Sequence, residues 1–293
     1  MPRLTEEQLA HRSNGMGATD VVEACGLAPW EGSGPMRLFL IKTGQLSEDD
    51  SNVDRERYFD WGHRQEGLLL DWYSEDQETT LLPGGHVPHH QYDWLWATLD
   101  AKRDDRVVEC KHVGPGMAHH WDESSEDGIP RYVRAQVTIQ MACLGIRLAD
   151  VVASVGGRPP HIWTVGWDDE LAELLISRAL EFWKLVQSRT PPKLDATEAT
   201  KEWLRRKWPT NEDRVLLPAG PEADDLAQKR IAATIEERKA WTEKTLADAA
   251  LLDMIGPHDG IRSQDGEWQL TWKLDRNGVR RQRFTARALK EDA

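Results

Sequence analysis

The stretch Trp94–Lys111, WLWATLDAKRDDRVVECK, decides how the rest of the chain is read. Two short runs of β-forming residues flank Ala101-Lys102-Arg103-Asp104-Asp105-Arg106, and the Asp-Asp pair suits a turn. A turn centred between Asp104 and Asp105 sets Asp100 opposite Glu109 and Thr98 opposite Lys111. Side chains alternate along a strand, so Glu109 and Lys111 share one face, and Val108 and Cys110 the other. Leu95, Ala97 and Leu99 are expected on that second, core-facing side. Asp100, Glu109 and Lys111 then stand together. Opposed Cβ atoms lie about 5 Å apart. Two carboxylates at that distance repel by roughly 3 kcal/mol at an effective dielectric of about 20. A cation between them, or a proton on one of them, relieves this. Paired carboxylates suit a hard, oxygen-seeking ion such as Mg²⁺. An ammonium beside them can orient a water or stabilise charge on a phosphate. Taken alone, the same pattern also describes an exposed hairpin with scattered charges, so the other segments must decide.

The chain has 293 residues, enough for one large domain or for a domain plus an appendage, with a sizeable core. A net charge of -13 excludes a general basic footprint for nucleic acid, although not a local basic groove. Cys25, Cys110 and Cys143 form neither a disulfide framework nor a CxxC metal pattern, which fits a reducing cytoplasm. No apolar leader and no membrane-length run is present, so a cytoplasmic location without a membrane partner is expected.

Read in order, the glycines of Arg12–Asp20 (RSNGMGATD) mark a loop, with Thr19 or Asp20 as cap of the following helix. A Gly-rich loop at a helix N-terminus can hold a phosphate, and Arg12 would add charge-assisted donors; an ordinary capped helix is the competing reading. Residues 36–43 read as a short helix and 45–54 as an acidic loop. Residues 55–76 read as a long amphipathic helix containing Glu66. Gly62 and Gly67 weaken that helix, which close packing on the hairpin would justify. His86, His89, His90, His112, His119 and His120 match no common zinc spacing and read as structural or surface residues. Pro130 opens a helix that Gly145 closes, with Gln136 and Gln140 one turn apart. Residues 150–155 and 161–165 read as strands about Gly-Gly-Arg-Pro-Pro, followed by a helix from Asp168 to about Arg189. Residues 222–254 read as a charged helix, and 266–288 as a β-hairpin about Asp275-Arg276-Asn277-Gly278. Arg280, Arg281, Arg283 and Arg287 make its second half a local basic patch, either a solvated edge or a nucleic-acid contact.

Four segments taken together resemble the YqaJ-type viral recombinase family, relatives of lambda exonuclease in the PD-(D/E)XK nuclease superfamily: RSNGMGATD at 12–20, WGHRQEGLLLDWY at 61–73, ATLDAKRDDRVVECK at 97–111 and IPRYVRAQVTIQMACLG at 129–145. The ordered set spans about residues 11–192. It departs from the family pattern at Leu99 and Ala101, where proline and glycine are frequent, and at Tyr132, which lies four rather than three residues before the glutamine. Thr19 stands where serine is usual.

The resemblance implies an α/β fold, a mixed sheet flanked by helices with a restriction-endonuclease-like core; the residue pattern beyond it adds a C-terminal helical arm and β-hairpin. Residues 1–192 would form the nuclease domain, 193–218 a linker with one short helix at 200–208, and 219–293 the appendage. It implies a Mg²⁺- or Mn²⁺-dependent deoxyribonuclease with two ions per site. Glu66, Asp100, Glu109 and the Cys110 carbonyl would hold metal, Lys111 would assist the water, and Gln136 would line the site. Arg12 and Thr19 would receive a DNA 5′-phosphate, with Tyr132 as a candidate DNA contact; Arg280, Arg281 and Arg283 are candidate contacts from the basic patch alone, outside the resemblance. Also implied are 5′-to-3′ digestion of duplex ends for phage-type recombination in a bacterial host, a single-strand annealing protein as partner, and a ring-shaped trimer. A nuclease of other polarity, an endonuclease and a non-catalytic DNA-end-binding scaffold are the alternatives.

Overall fold

A computed structural model describes residues 14–30, 32–46, 53–122, 128–209, 216–275 and 277–286. The chain divides into two compact units, Met1–Pro209 and Thr210–Ala293. The first is built on a five-stranded sheet in sequential order: β1 (Leu82–Pro88), β2 (Trp96–Lys102), β3 (Val107–Val113), β4 (Leu148–Val155) and β5 (His161–Gly166). All neighbours are antiparallel except β3 and β4, which run parallel with Cys110 beside Val152. A parallel pair needs a crossover, and the helix α4 (Arg131–Leu144) lies within it. As expected from the sequence, Pro130 is its N-cap and Gly145 closes it in the left-handed conformation at φ 72°.

Helices cover both faces of the sheet. The main core joins α1 (Ala18–Ala24), α2 (Pro35–Lys42), α4 and α5 (Asp169–Gln187) to the residues Ala149, Val151 and Ala153 of β4. The alternate residue, Val152, points to a smaller cluster with Val108, Cys110, and Leu69 and Tyr73 of α3 (Val53–Asp76). β4 is thus buried on both faces, as parallel strands commonly are. A further helix, α6 (Glu198–Lys207), has Thr197 as its N-cap. The preceding Asp195 accepts the Met36 N–H at 3.3 Å, which ties this segment to α2.

The expected hairpin register holds at Ala101↔Val108 and Lys102↔Val107, but those are the only paired positions of β2 and β3. One expectation fails beyond them. Leu95, Ala97 and Leu99 pack in the main core, whereas Ala101, Val108 and Cys110 lie in the smaller cluster on the other side. The strands part after Ala101, so β2 no longer shares the face of β3. Gly62 and Gly67 also differ from expectation: a Cβ at either would meet nothing within 4 Å, so no close packing on the hairpin requires them.

The second unit comprises α7 (Pro221–Ile255) and an antiparallel sheet of β6 (Gly260–Arg262), β7 (Trp268–Leu274) and β8 (Arg280–Ala286). The expected hairpin is present, with β6 added as a third strand. Among the described residues no helix is long and apolar enough to cross a membrane.

Candidate active site

Where β2 and β3 part, a side chain replaces the missing ladder bond. Asp100 Oδ2 accepts the Cys110 N–H at 2.8 Å. Directly behind, Gly84 of β1 lies so close that a Cβ would sit 2.0 Å from the Leu99 carbonyl oxygen and 2.6 Å from that of Asp100. Backbone on both sides therefore fixes Asp100. One residue further along β3, strand alternation turns Glu109 and Lys111 toward α4, where Gln136 and Gln140 stand one turn apart.

Glu109 is 3% exposed, and its carboxylate is held by three side chains. Oε1 accepts from Lys111 Nζ at 2.5 Å and from Gln136 Nε2 at 2.8 Å. Oε2 accepts from Gln140 Nε2 at 2.7 Å. Lys111 Nζ donates a second bond to Gln136 Oε1 at 2.9 Å. Gln140, wholly buried, also donates to the Thr98 carbonyl at 3.2 Å, so it spans the gap between the parted strands.

The electrostatics are unbalanced at Asp100. Burial pushes its carboxyl well above the usual range, and Glu109 pushes it further; Cys110 N–H and Lys111 oppose, while Glu66 adds a smaller push in the same direction. Burial alone would lower Lys111, but the adjacent Glu109 carboxylate outweighs it and the ammonium is held more firmly than usual. The Tyr132 phenol is raised by burial, against the pull of Lys111. Burial, then the neighbouring carboxylates, raise the Cys110 thiol, so it stays protonated and is no nucleophile.

Glu66 reaches this cluster from α3, where its backbone carbonyl lies 4.0 Å from Cys110 Sγ. Two turns later on the same helix, Tyr73 OH donates to Asp150 Oδ2 at 2.5 Å. Asp150 is 1% exposed and also accepts from Thr164 at 2.7 Å and from Arg106 at 3.1 Å on each oxygen. Burial and the bond to Asp150 push the Tyr73 phenol up to about 12.

Of the residues singled out in the sequence, Glu109, Lys111 and Gln136 lie in one hydrogen-bonded network, with Asp100, Glu66 and Tyr132 within electrostatic reach. The Cys110 N–H faces β2, and a strand residue's N–H and C=O point the same way, so its carbonyl faces that side too. Thr19 is exposed in the first turn of α1. The cap is Gly17 rather than Thr19 or Asp20, and the Asp20 carboxylate returns to the Gly17 N–H at 2.8 Å. Gly15 and Gly17 are required by packing, since a Cβ there would lie 2.6 Å from the Trp94 carbonyl and 2.8 Å from the Trp96 ring. Arg12 lies outside the described residues.

Arg280 differs from its basic neighbours. Its guanidinium donates to the carbonyls of Gly256 at 2.8 Å, Trp272 at 3.2 Å and His258, and lies 3.8 Å from the Trp272 ring centroid. Its donors are spent inside its own unit, leaving Arg281 and Arg283 exposed. His89, buried, accepts the Gln91 and Tyr92 N–H groups through Nδ1, which is a structural role. Residues that the sequence reading missed are Gly84, Gln140, Tyr73 and Asp150. Only Gln140 carried a signal, its one-turn spacing from Gln136.

A model of the YqaJ-like viral recombinase domain matches residues 7–147. Those residues are a YqaJ-like viral recombinase domain. The whole carboxylate network, from Glu66 to Gln140, falls inside this YqaJ-like domain. An alkaline exonuclease, LHK-Exo from Laribacter hongkongensis, shares the fold, with 20% identity, 69% of this chain and 97% of that chain covered, and a TM-score of 0.50. The same exonuclease in complex with dAMP gives 0.51 over the same shares. A phage-related exonuclease from Haemophilus somnus aligns over 60% of this chain and 96% of its own, at 9% identity and a TM-score of 0.45. No curated protein matches the sequence.

Proposed function

We propose that the chain is a divalent-metal-dependent deoxyribonuclease that digests duplex DNA from its 5′ ends, leaving 3′ single strands for a recombination partner. The observation that carries this reading is the state of Asp100, half-buried in the field of two other carboxylates with a single N–H donor among the described residues. Such a cluster is short of positive charge, with Lys111 the ammonium set against three carboxylates. Its donors are hard carboxylate oxygens, the chemistry that Mg²⁺ or Mn²⁺ takes. Oxygen capacity remains as well: an ionised carboxylate offers about four acceptor sites. Among the described residues, Asp100 Oδ2 accepts one N–H, and Glu109 Oε2 accepts only from Gln140. Among the described residues no three acidic, His or Cys side chains already converge on a point, and an ion would have to draw its ligands together.

Asp100, Glu109, Glu66 and the Cys110 carbonyl would hold such ions, which supply Lewis-acid activation of water and charge neutralisation at phosphate. The remaining work falls to the chain's own side chains. Lys111 uses two of its three N–H donors on Glu109 and Gln136, leaving one for a water or a phosphate oxygen. Gln136 and Gln140 keep the Glu109 carboxylate in one orientation. The raised pKa of Lys111 keeps it an ammonium, suited to stabilising negative charge rather than to accepting a proton.

The nucleotide in complex with the Laribacter exonuclease, which shares the fold, supports a DNA strand as substrate here. Polarity rests on the motif resemblance and on Thr19 as an exposed hydroxyl in the first turn of α1. Digestion of end-labelled linear duplex with Mg²⁺, beside closed-circular duplex, tests the reading. Release of 5′ label from linear DNA only is expected. Cleavage of circles, release of 3′ label first, or no Mg²⁺-dependent cleavage would each overturn part or all of it.

A further inference from the structure

The sheet of the second unit has two unlike faces. Leu270 and its row mates face α7: Leu270 is fully buried, and Gln282 Nε2 reaches Asp248 Oδ2 of that helix at 3.4 Å. The register places the alternate residues on the other face, with Arg262 beside Gln269, Thr271 beside Arg283, and Lys273 beside Arg281. Arg262, Lys273, Arg281 and Arg283 are all exposed there. Arg281 pairs with Asp275 Oδ2 at 3.1 Å in the adjoining turn. Among the described residues, Arg262, Lys273 and Arg283 have no carboxylate within ion-pair distance. The other nearby acids, Asp265 and Glu267, lie in the turn between β6 and β7.

Lys273 and Arg281 are directly opposed like charges, an arrangement that destabilises a sheet. The chain maintains it although its net charge is -13, so cations are not there for want of acids. A polyanion laid across the face removes the repulsion. The residues between the cations are Gln269, Thr271 and Thr285, small or neutral donors with no aromatic ring to stack a base. Phosphate contact without stacking suits the backbone of a duplex better than an unpaired strand.

We propose that this face of the β6–β7–β8 sheet binds the phosphate backbone of duplex DNA. The inference rests on the nuclease reading only for the identity of the polyanion. It is tested with the full chain in EDTA, where cleavage is absent, by fluorescence anisotropy of a labelled duplex across a salt series. The variant Arg262→Ala/Lys273→Ala/Arg281→Ala/Arg283→Ala removes the four exposed cations. Binding should weaken at least about tenfold, and the slope of log affinity against log salt should become shallower by about 3 to 4, near 0.9 for each phosphate no longer neutralised. A control variant on α7, Lys229→Ala/Arg230→Ala/Lys239→Ala/Lys244→Ala, changes net charge equally and should leave the slope unaltered. If the quadruple variant loses its circular-dichroism signature, Lys273→Gln/Arg283→Gln is measured instead, with a slope change of about 1 to 2 expected. An unchanged slope, an equal loss in the α7 control, or a face that binds polyglutamate but not duplex overturns the proposal. Wild type that cuts linear duplex while the slope stays unchanged sinks this inference alone. Wild type that neither cuts nor binds duplex sinks the nuclease reading as well.

Discussion

Two aspartates of one sheet, one buried and one half-buried, are held in contrasting ways. Asp150 on β4, 1% exposed, receives bonds from a phenol, from a hydroxyl and, on both of its oxygens, from Arg106. Asp100 on β2 receives one backbone N–H and faces Glu109 and Glu66. A buried carboxylate with a full set of donors and a guanidinium is a strut: it pins α3 to β4 and asks for nothing more. One surrounded by its own kind is stable only when something positive arrives. The same residue type therefore holds the fold on one side of β3 and defines the candidate site on the other.

The largest expected effect separates the two. Asp100→Asn or Glu109→Gln should lower the rate of Mg²⁺-dependent cleavage by about a thousandfold or more, since charge stabilisation at the reacting phosphate goes with them. Turnover within tenfold of wild type in either variant would break the contrast. Asp150→Ala should act on stability instead. It leaves the buried Tyr73 hydroxyl and Thr164 without this acceptor, while Arg106 keeps Asp105, and should cost about 1–3 kcal/mol in urea unfolding. Retained stability would show that the network around Asp150 is not a strut.

Lys111→Met should slow cleavage by about a hundredfold while leaving calorimetric Mg²⁺ binding in place, because the lysine acts on water and phosphate. Loss of that binding would place Lys111 in the support of Glu109 rather than in the chemistry. The smallest effect is expected at Gln140, a positioning residue. Gln140→Leu keeps the buried volume filled but frees Glu109 Oε2 and the Thr98 carbonyl. Mg²⁺ binding should weaken by about tenfold, the lower end for residues that orient metal-holding groups. Unaltered binding would leave Gln140 a packing residue.

Much of this was legible in the sequence because it depends on local rules. Strand alternation and the Asp104-Asp105 turn are enough to set Ala101 against Val108. Proline before the first turn and glycine after the last bound α4. What escaped depends on groups distant in the chain. β1 contains Pro83, Gly84, Gly85 and His86, poor strand formers, and exists because β2 passes close behind it. The parting of β2 from β3 follows from Asp100 taking the Cys110 N–H, a side-chain bond that no hydrophobic pattern announces. Arg280 looked like its neighbours Arg281 and Arg283 in the sequence, yet strand alternation places it on the helix side of its sheet, with its donors on backbone carbonyls. Asp150 read as the start of a strand, and its partners come from α3, β5 and the turn at Arg106.

The central claim is that Asp100 is strained by burial and by like charge until a cation binds. Its carboxyl is raised in the folded state above the unfolded value of about 3.9. The stability it contributes is therefore complete below that value and is lost as pH rises through the folded pKa. Urea unfolding of wild type and Asp100→Asn, in EDTA and in Mg²⁺, tests this directly. In EDTA the two should be alike near pH 4, and the variant should become the more stable toward neutral pH. Mg²⁺ should then stabilise wild type and leave the variant unmoved. A variant less stable than wild type at neutral pH in EDTA, with Mg²⁺ shifting both equally, would contradict the account.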